Sequence, residues 1–166
     1  MRAITLIAIA AVLGVSACGQ ASRRGDGQGE FRSGETCALV GEDVLPQPVE
    51  REEMRPVDNA SGECRWVARD GVIHAQLIVY DNASATKFDE LLAQWSGQSY
   101  QQPVTLDGVG DRAVMVPEMT GGQTQALVRN GNRLALILAV SGDEQLDGPT
   151  LARRIAESVA AHAPAG

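Results

Sequence analysis

The chain has 166 residues, of which 44% are hydrophobic and 21% are charged. That length suits one domain and is large enough to bury a core without a structural metal. The 14 basic and 21 acidic residues give a net charge of −7, which disfavours a nucleic-acid partner. Only three cysteines and two histidines are present, without a CxxC or HExxH motif, so we expect no metal site and no cofactor.

The first residues have the pattern of a secretory signal peptide. Arg2 supplies a positive charge, and an apolar stretch follows from Ala3 to Val15. This stretch is too short to cross a hydrocarbon core of about 30 Å as a helix that rises about 1.5 Å per residue. A signal peptide has this length and these flanks, so we predict one over residues 1–17.

The end of that segment, Val15-Ser16-Ala17-Cys18, resembles the lipobox of bacterial lipoproteins. In such a motif small residues fit the signal peptidase, and the Cys18 thiol would take a diacylglyceryl group. The acyl chains then hold the protein on a membrane, at about 0.8 kcal/mol per buried CH₂. Gly19, in place of aspartate, implies the outer membrane in a diderm and the outer face of the plasma membrane in a monoderm. The alternative is an ordinary signal peptide followed by a chance cysteine.

Residues 18–35 are predicted to be a flexible, lipid-anchored tether. The segment is rich in glycine, serine and charge, and Phe31 is its only large apolar residue, so it cannot bury enough surface to fold. Arg23 and Arg24 either contact anionic headgroups or are simply solvated. The folded domain is predicted over residues 36–163.

Cys37 and Cys64 are the two thiols that remain after lipidation, and export places them in an oxidising compartment. We predict a disulfide between them, which closes a loop of about 28 residues and stabilises the fold by roughly 3–4 kcal/mol. The alternative is two reduced, buried thiols. Within the loop, only Ala38 to Leu45 is predicted to be helical, because Pro46 ends it.

Asp70-Gly71 predicts the turn of a β-hairpin. Pairing outward from it sets Ala68 opposite Ile73, and Val67 opposite His74. One face then holds Cys64, Trp66, Ala68, Ile73, Ala75, Leu77 and Val79. The other, wetter face holds Arg65, Val67, Arg69, Val72, His74 and Gln76.

The second half of the chain predicts two helices and more strands. Apolar residues at helical spacing from Phe88 to Trp95 predict a helix between Ser84 or Asn82 and Gly97, with Trp95 in the core. Short strands are expected at 104–106 and 112–116, longer ones at 124–129 and 133–140. The last of these is apolar on both faces and should be central. A final helix begins at Pro149, and Leu151, Ile155 and Val159 form its apolar stripe. The predicted fold is a single α+β domain, with a mainly antiparallel sheet of five or six strands and packed helices.

Three short motifs carry a resemblance to a protein family: Cys37-Ala38-Leu39, Cys64-Arg65-Trp66, and Val109 to Ala113 with the sequence VGDRA. In this order they resemble the C-x-L, C-x-W and G-x-G-D-x-A pattern of uncharacterised secreted lipoproteins of the actinobacterial type. The resemblance implies a fold distantly similar to the PsbP/Mog and LpqN-like α/β folds. It implies no catalytic residues. The proline-rich segment Leu45–Val49 departs from the pattern, where that family continues its first helix.

No nucleophile and base can be paired from the sequence. No serine lies in a GxSxG motif, so a hydrolase triad has no starting point. Asp107 and Asp111 flank Gly108-Val109-Gly110, which suggests either a metal site or turn chemistry, and turn chemistry is favoured. We therefore predict no catalytic and no metal-binding residues.

Two classes of function remain. The first is a non-catalytic lipoprotein of the cell envelope that is held on the membrane by its lipid and binds an envelope protein partner or acts as an accessory subunit. The second is a small-ligand binding module that uses the outer sheet face. Its candidate ligand-binding residues are Arg65, Arg69, His74 and Gln76. A concave apolar pocket would favour the second class, and a flat apolar patch the first.

The lipidation hypothesis predicts that Cys18→Ser releases the protein from membranes or leaves it unprocessed, because the serine cannot form the thioether. Membrane fractionation with immunoblotting measures the outcome. If the variant is processed normally and still sediments with membranes, Cys18 is not a lipidation site.

Overall fold

The computed structural model describes residues 35–45, 48–56, 59–69, 71–119, 122–140 and 147–162. The proposed signal peptide, Cys18, the tether up to residue 34 and the final residue of the proposed domain lie outside these ranges. The strands are β1 (Val49–Met54), β2 (Gly62–Ala68), β3 (Ile73–Tyr80), β4 (Val104–Thr105), β5 (Arg112–Met119), β6 (Gln123–Asn130) and β7 (Arg133–Ala139). The helices are α1 (Ala85–Ser96) and α2 (Gly148–His162).

All seven strands form one antiparallel sheet in the order β1-β2-β3-β7-β6-β5-β4. The α+β class is confirmed, but the sheet has seven strands and not five or six. Strand β7 lies at the centre of this order, as its continuous apolar sequence predicted. Among the described residues, no helix is both long and apolar enough to cross a membrane.

Strand β1 is the element that the sequence did not predict. Its sequence VEREEM is mostly charged and lacks alternation, because an edge strand has little buried surface to pattern. It pairs with β2 from Val49 opposite Ala68 to Met54 opposite Glu63. The helix predicted over Ala38 to Leu45 is wrong, since only a short 3-10 turn forms at Cys37–Leu39.

The β2–β3 hairpin confirms most of the predicted register. Trp66 pairs with Ala75 and Cys64 with Leu77, so the core face is the predicted one. A bulge then shifts the pairing, and Val67 lies opposite Ile73. The predicted pairs Val67–His74 and Ala68–Ile73 are therefore wrong, because a bulge inserts one extra residue into one strand.

The main core lies between the sheet and α2. Leu151, Ile155 and Val159 of α2 are buried there, as the helical stripe predicted. The Asp147 side chain caps this helix, because it accepts a hydrogen bond from the Thr150 N–H at 2.7 Å. The same hydrogen bond lowers the pKa of Asp147 below its usual value.

The predicted disulfide joins Cys37 and Cys64, with their Cα atoms 5.1 Å apart. It fastens the 3-10 turn to β2 on the α2 side of the sheet. Thr36 packs so closely over Gly62 that a Cβ at position 62 would overlap its hydroxyl. The disulfide and this contact together hold the start of the described chain on the sheet.

Helix α1 packs on the opposite face, against β5 and β6. Ser84 is its N-cap, since its hydroxyl accepts the Lys87 N–H at 3.2 Å. Phe88 is fully buried and clusters with Val114, Leu127 and Leu134. This second core is much smaller than the first.

The register predicts a sharp contrast between two substitutions on the hairpin. Trp66 is fully buried on the α2 side, so Trp66→Ala should destabilise the fold by about 3–5 kcal/mol. Val72 is 44% exposed, so Val72→Ala should change stability by no more than about 0.5 kcal/mol. Urea unfolding of both variants tests this. A mild effect of Trp66→Ala would contradict the register.

Candidate binding site on the open sheet face

Helix α1 leaves part of its own side of the sheet uncovered. Its main contacts are with β5 and β6, and at β3 its Lys87 lies over the ring of Tyr80. The same side of β1, β2 and the rest of β3 has no extensive described contact with a helix. We call this surface, with the adjoining part of β7, the open face. Its central residues are half-buried, and they are Arg65, Gln76, Ile78, Leu136 and Leu138.

A small pocket lies where the open face meets α1. Its volume is about 120 Å³. Trp95 of α1 forms one wall; it is half-buried and also packs against the Phe88 cluster, so it belongs to the second core and borders the pocket. The sheet supplies the remaining lining, which consists of Gln76, Ile78, Gln125, Leu136, Ile137 and Leu138. The pocket is concave and mostly apolar.

A buried carboxylate organises the polar part of the open face. Glu63 is 2% exposed, and its Oε1 accepts hydrogen bonds from Arg65 Nε at 3.0 Å and Gln76 Nε2 at 2.7 Å. Arg65 Nη2 lies 2.9 Å from the same oxygen. This pairing stabilises the buried charge and fixes the Gln76 side chain at the pocket wall.

The strand register explains why two glutamines face the same pocket. Gln76 of β3 lies opposite Leu138 of β7, and Leu138 lies opposite Gln125 of β6. Residues opposite each other in an antiparallel sheet share a face, so Leu138 forms an apolar floor between two amides. Gln125 Oε1 is buried and has no hydrogen-bond partner in the described part of the chain. This oxygen is available to accept a donor from a bound molecule.

The structure brings together two of the four residues predicted for a ligand face. Arg65 and Gln76 meet through Glu63. His74 lies at the hairpin bulge, half-buried, and its Nδ1 has no hydrogen-bond partner among the described atoms. Arg69 is exposed beyond the end of β2. No described contact joins Arg69 or His74 to the Glu63 network.

Three important residues of this site were missing from the sequence analysis. Glu63 could have been found, because it lies two residues before Arg65 in β2, and residues two apart in a strand share a face. Gln125 and Leu138 have no local sequence pattern that predicts a site, because only the pairing of β7 with both β3 and β6 brings them to Gln76.

The carboxylates around Gly108-Val109-Gly110 belong to a turn, as favoured from the sequence. Asp111 Oδ2 accepts the Gly131 N–H at 2.6 Å, which joins this turn to the β6–β7 turn. Gly110 has a φ of 58°, and a Cβ there would lie 2.6 Å from the Arg129 carbonyl oxygen. Turn geometry therefore accounts for Asp111 and Gly110.

One serine and one histidine approach each other, but not as a nucleophile and its base. Ser158 Oγ donates to the Leu39 carbonyl at 3.2 Å and accepts the Gly41 N–H at 3.0 Å, so it fastens α2 to the N-terminal segment. His162 Nδ1 lies 2.8 Å from the Ser158 carbonyl oxygen, a distance at which it acts as a donor. A nitrogen that donates its proton to the backbone cannot take one from the hydroxyl.

Glu53 lies beside the disulfide, and its Oε1 accepts the Cys37 N–H at 2.9 Å. Carboxylate and sulfur atoms of Cys37, Glu53 and Cys64 lie within 4.8 Å of one another. As a disulfide the two sulfurs offer no thiolate ligand, so this group has a structural role here.

Comparison with known proteins finds no family model, curated protein or solved structure that matches the chain.

Because Glu63 is buried, we predict that removing its ion-pair partner Arg65 lowers the stability of the fold. Arg65→Met leaves Gln76 as the one described hydrogen-bond partner of the carboxylate and should destabilise the fold by about 1–3 kcal/mol. Adding Glu63→Leu to that variant should recover most of the loss, because no buried charge remains. Chemical unfolding of the single and double variants measures both effects.

The matched control is Arg153→Met, which breaks an exposed pair with Glu157 on α2. It should change stability by less than about 0.5 kcal/mol. Equal effects of Arg65→Met and Arg153→Met would show that Glu63 does not need its partner.

Proposed function

We propose that this protein is a non-catalytic lipoprotein of the bacterial cell envelope that binds a protein partner through its open face. The sequence of residues 1–18 supports export and lipid anchoring at Cys18. The resemblance of the cysteine and glycine motifs to secreted actinobacterial-type lipoproteins supports the same placement. The open face supports the binding role.

The choice of a protein partner over a small ligand rests on the size of the pocket. Sites for drug-sized ligands usually enclose about 300–1,000 Å³, well above the volume of this pocket, which is about 120 Å³. A cavity of about 150 Å³ holds a molecule as small as benzene. The pocket therefore suits one apolar side chain. A protein partner can insert such a side chain as an anchor and cover the surrounding sheet.

The chemistry of the site also favours binding over catalysis. Its polar groups are one buried ion pair and two amides, and neutral amides are poor nucleophiles and poor bases. The ion pair holds Arg65 and Glu63 to each other. Such a site can recognise a partner by shape and hydrogen bonding without transforming it.

The second candidate is a small-ligand binding module. The unpartnered Gln125 Oε1 favours it, because a buried acceptor of this kind selects a small molecule with a matching donor. Native mass spectrometry of the protein purified from its own host distinguishes the two. A retained small molecule that is lost in Leu138→Ser would favour this candidate over a protein partner.

Site-specific photo-crosslinking in intact cells tests the proposal. A photoreactive residue at position 138 lies on the open face, whereas one at position 154 lies on an exposed part of α2. We expect one discrete protein adduct from position 138 and none from position 154. Adding Gln76→Ala to the position-138 variant should weaken the adduct, because the pocket loses a wall.

Equal adducts from both positions would show that capture is nonspecific. The absence of any adduct from position 138 would contradict a protein partner on the open face. Mass spectrometry of the adduct identifies the partner.

A further inference from the structure

Two exposed carboxylates border the open face. Glu50 lies opposite Val67 and Glu52 lies opposite Arg65, so both share the face of β2 that carries Glu63. Both are exposed, and neither takes part in a described ion pair.

No described ion pair joins an arginine of β1 or β2 to Glu50 or Glu52. The charge of Arg65 is matched by the buried Glu63, at 2.9 Å. Arg69 lies beyond the end of β2, in the hairpin turn. Along β1 and β2, the open face therefore carries Glu50, Glu52 and Glu63 against Arg65, an excess of two negative charges.

We infer, on the basis of the proposed function, that the partner is a basic protein segment. This segment has one apolar side chain flanked by lysines or arginines. The apolar side chain fills the pocket beside Trp95. A backbone N–H of the segment, or a donor on another of its side chains, reaches Gln125 Oε1. The basic flanks lie near Glu50 and Glu52, where they raise the association rate and fix the register.

The same charges argue against three other occupants. Nucleic acid and anionic lipid headgroups would meet carboxylates where they need cations. A second copy of this chain, packed face to face about a two-fold axis, would bring its own Glu50 and Glu52 to the same surface. Like charges brought together in an interface disfavour it. A basic protein segment satisfies both the pocket and its border.

Three synthetic peptides test the basic partner separately from the proposed function. The first has nine residues, with a central leucine, two lysines on each side, and serine or threonine spacers. The second replaces the lysines with glutamates, and the third replaces the central leucine with serine. Calorimetric titration of the full chain, purified in a non-ionic detergent, gives the Kd of each peptide.

Trp95 emission reports where the peptides bind. The chain has two tryptophans, and Trp66 is fully buried on the other side of the sheet. Trp95 lines the pocket, so a bound leucine should shift its fluorescence. The serine-centred peptide should bind more weakly and leave the emission unchanged.

We expect the lysine peptide to bind at least about tenfold more tightly than the glutamate peptide at 150 mM salt, where the Debye length is about 8 Å. The ratio should approach one at about 1 M salt, where that length falls to about 3 Å. Glu50→Gln with Glu52→Gln should also remove most of the preference. The matched control is Asp43→Asn with Glu157→Gln, which removes the same charge from exposed positions near α2 and should leave the preference intact.

The outcomes distinguish the two ideas. If leucine-centred peptides bind and shift Trp95 but lysine and glutamate flanks bind equally well, the basic partner is wrong and the proposed function stands. If the leucine and serine peptides bind equally, the pocket is not an anchor site. The basic-partner inference and the proposed function are then both overturned. Binding to anionic vesicles, or a dimer, that is lost in Leu138→Ser would also overturn the inference.

Discussion

A seven-stranded sheet is wider than the helices that cover it. Strands spaced about 4.8 Å apart make a sheet about 30 Å across, whereas a helix with its side chains is about 10 Å wide. One face of the sheet is covered by α2 together with the 3-10 turn and the disulfide-linked segment. On the other face α1 packs against β5 and β6. The open face follows from this difference in width.

The residues of the open face suit a surface that is partly exposed to water. Glu63 of β2 ends the apolar row that runs from Ile78 through Leu136 to Leu127. Arg65 and Gln76 place polar groups in the neighbouring row, which contains Leu138. The charged edge strand β1 also discourages pairing with another sheet. Both features add polar groups to a partly apolar surface and leave the small pocket beside Trp95 open.

Polar groups elsewhere in the described chain stabilise the fold. Asp147 caps α2, Asp111 joins two turns, and Ser158 connects α2 to the N-terminal segment. The Asp147 cap is local, whereas the Asp111 and Ser158 hydrogen bonds span 20 and 119 residues in sequence; together they fix the positions of loops and helix ends. The unpartnered Gln125 Oε1 at the pocket differs from them, because its hydrogen-bonding capacity is unused.

The sequence by itself determined the features that depend on neighbouring residues. Periodicity identified α1 and α2, and apolar residues on both faces identified central β7. Turn residues placed the β2–β3 hairpin, and cysteine count with export predicted the Cys37–Cys64 bond. Only the tertiary structure decided the features that depend on distant pairing. Edge strand β1 buries too little surface to carry a hydrophobic pattern, and the hairpin bulge leaves no local signal. Gln76, Leu138 and Gln125 meet only because three strands distant in sequence are neighbours in the sheet.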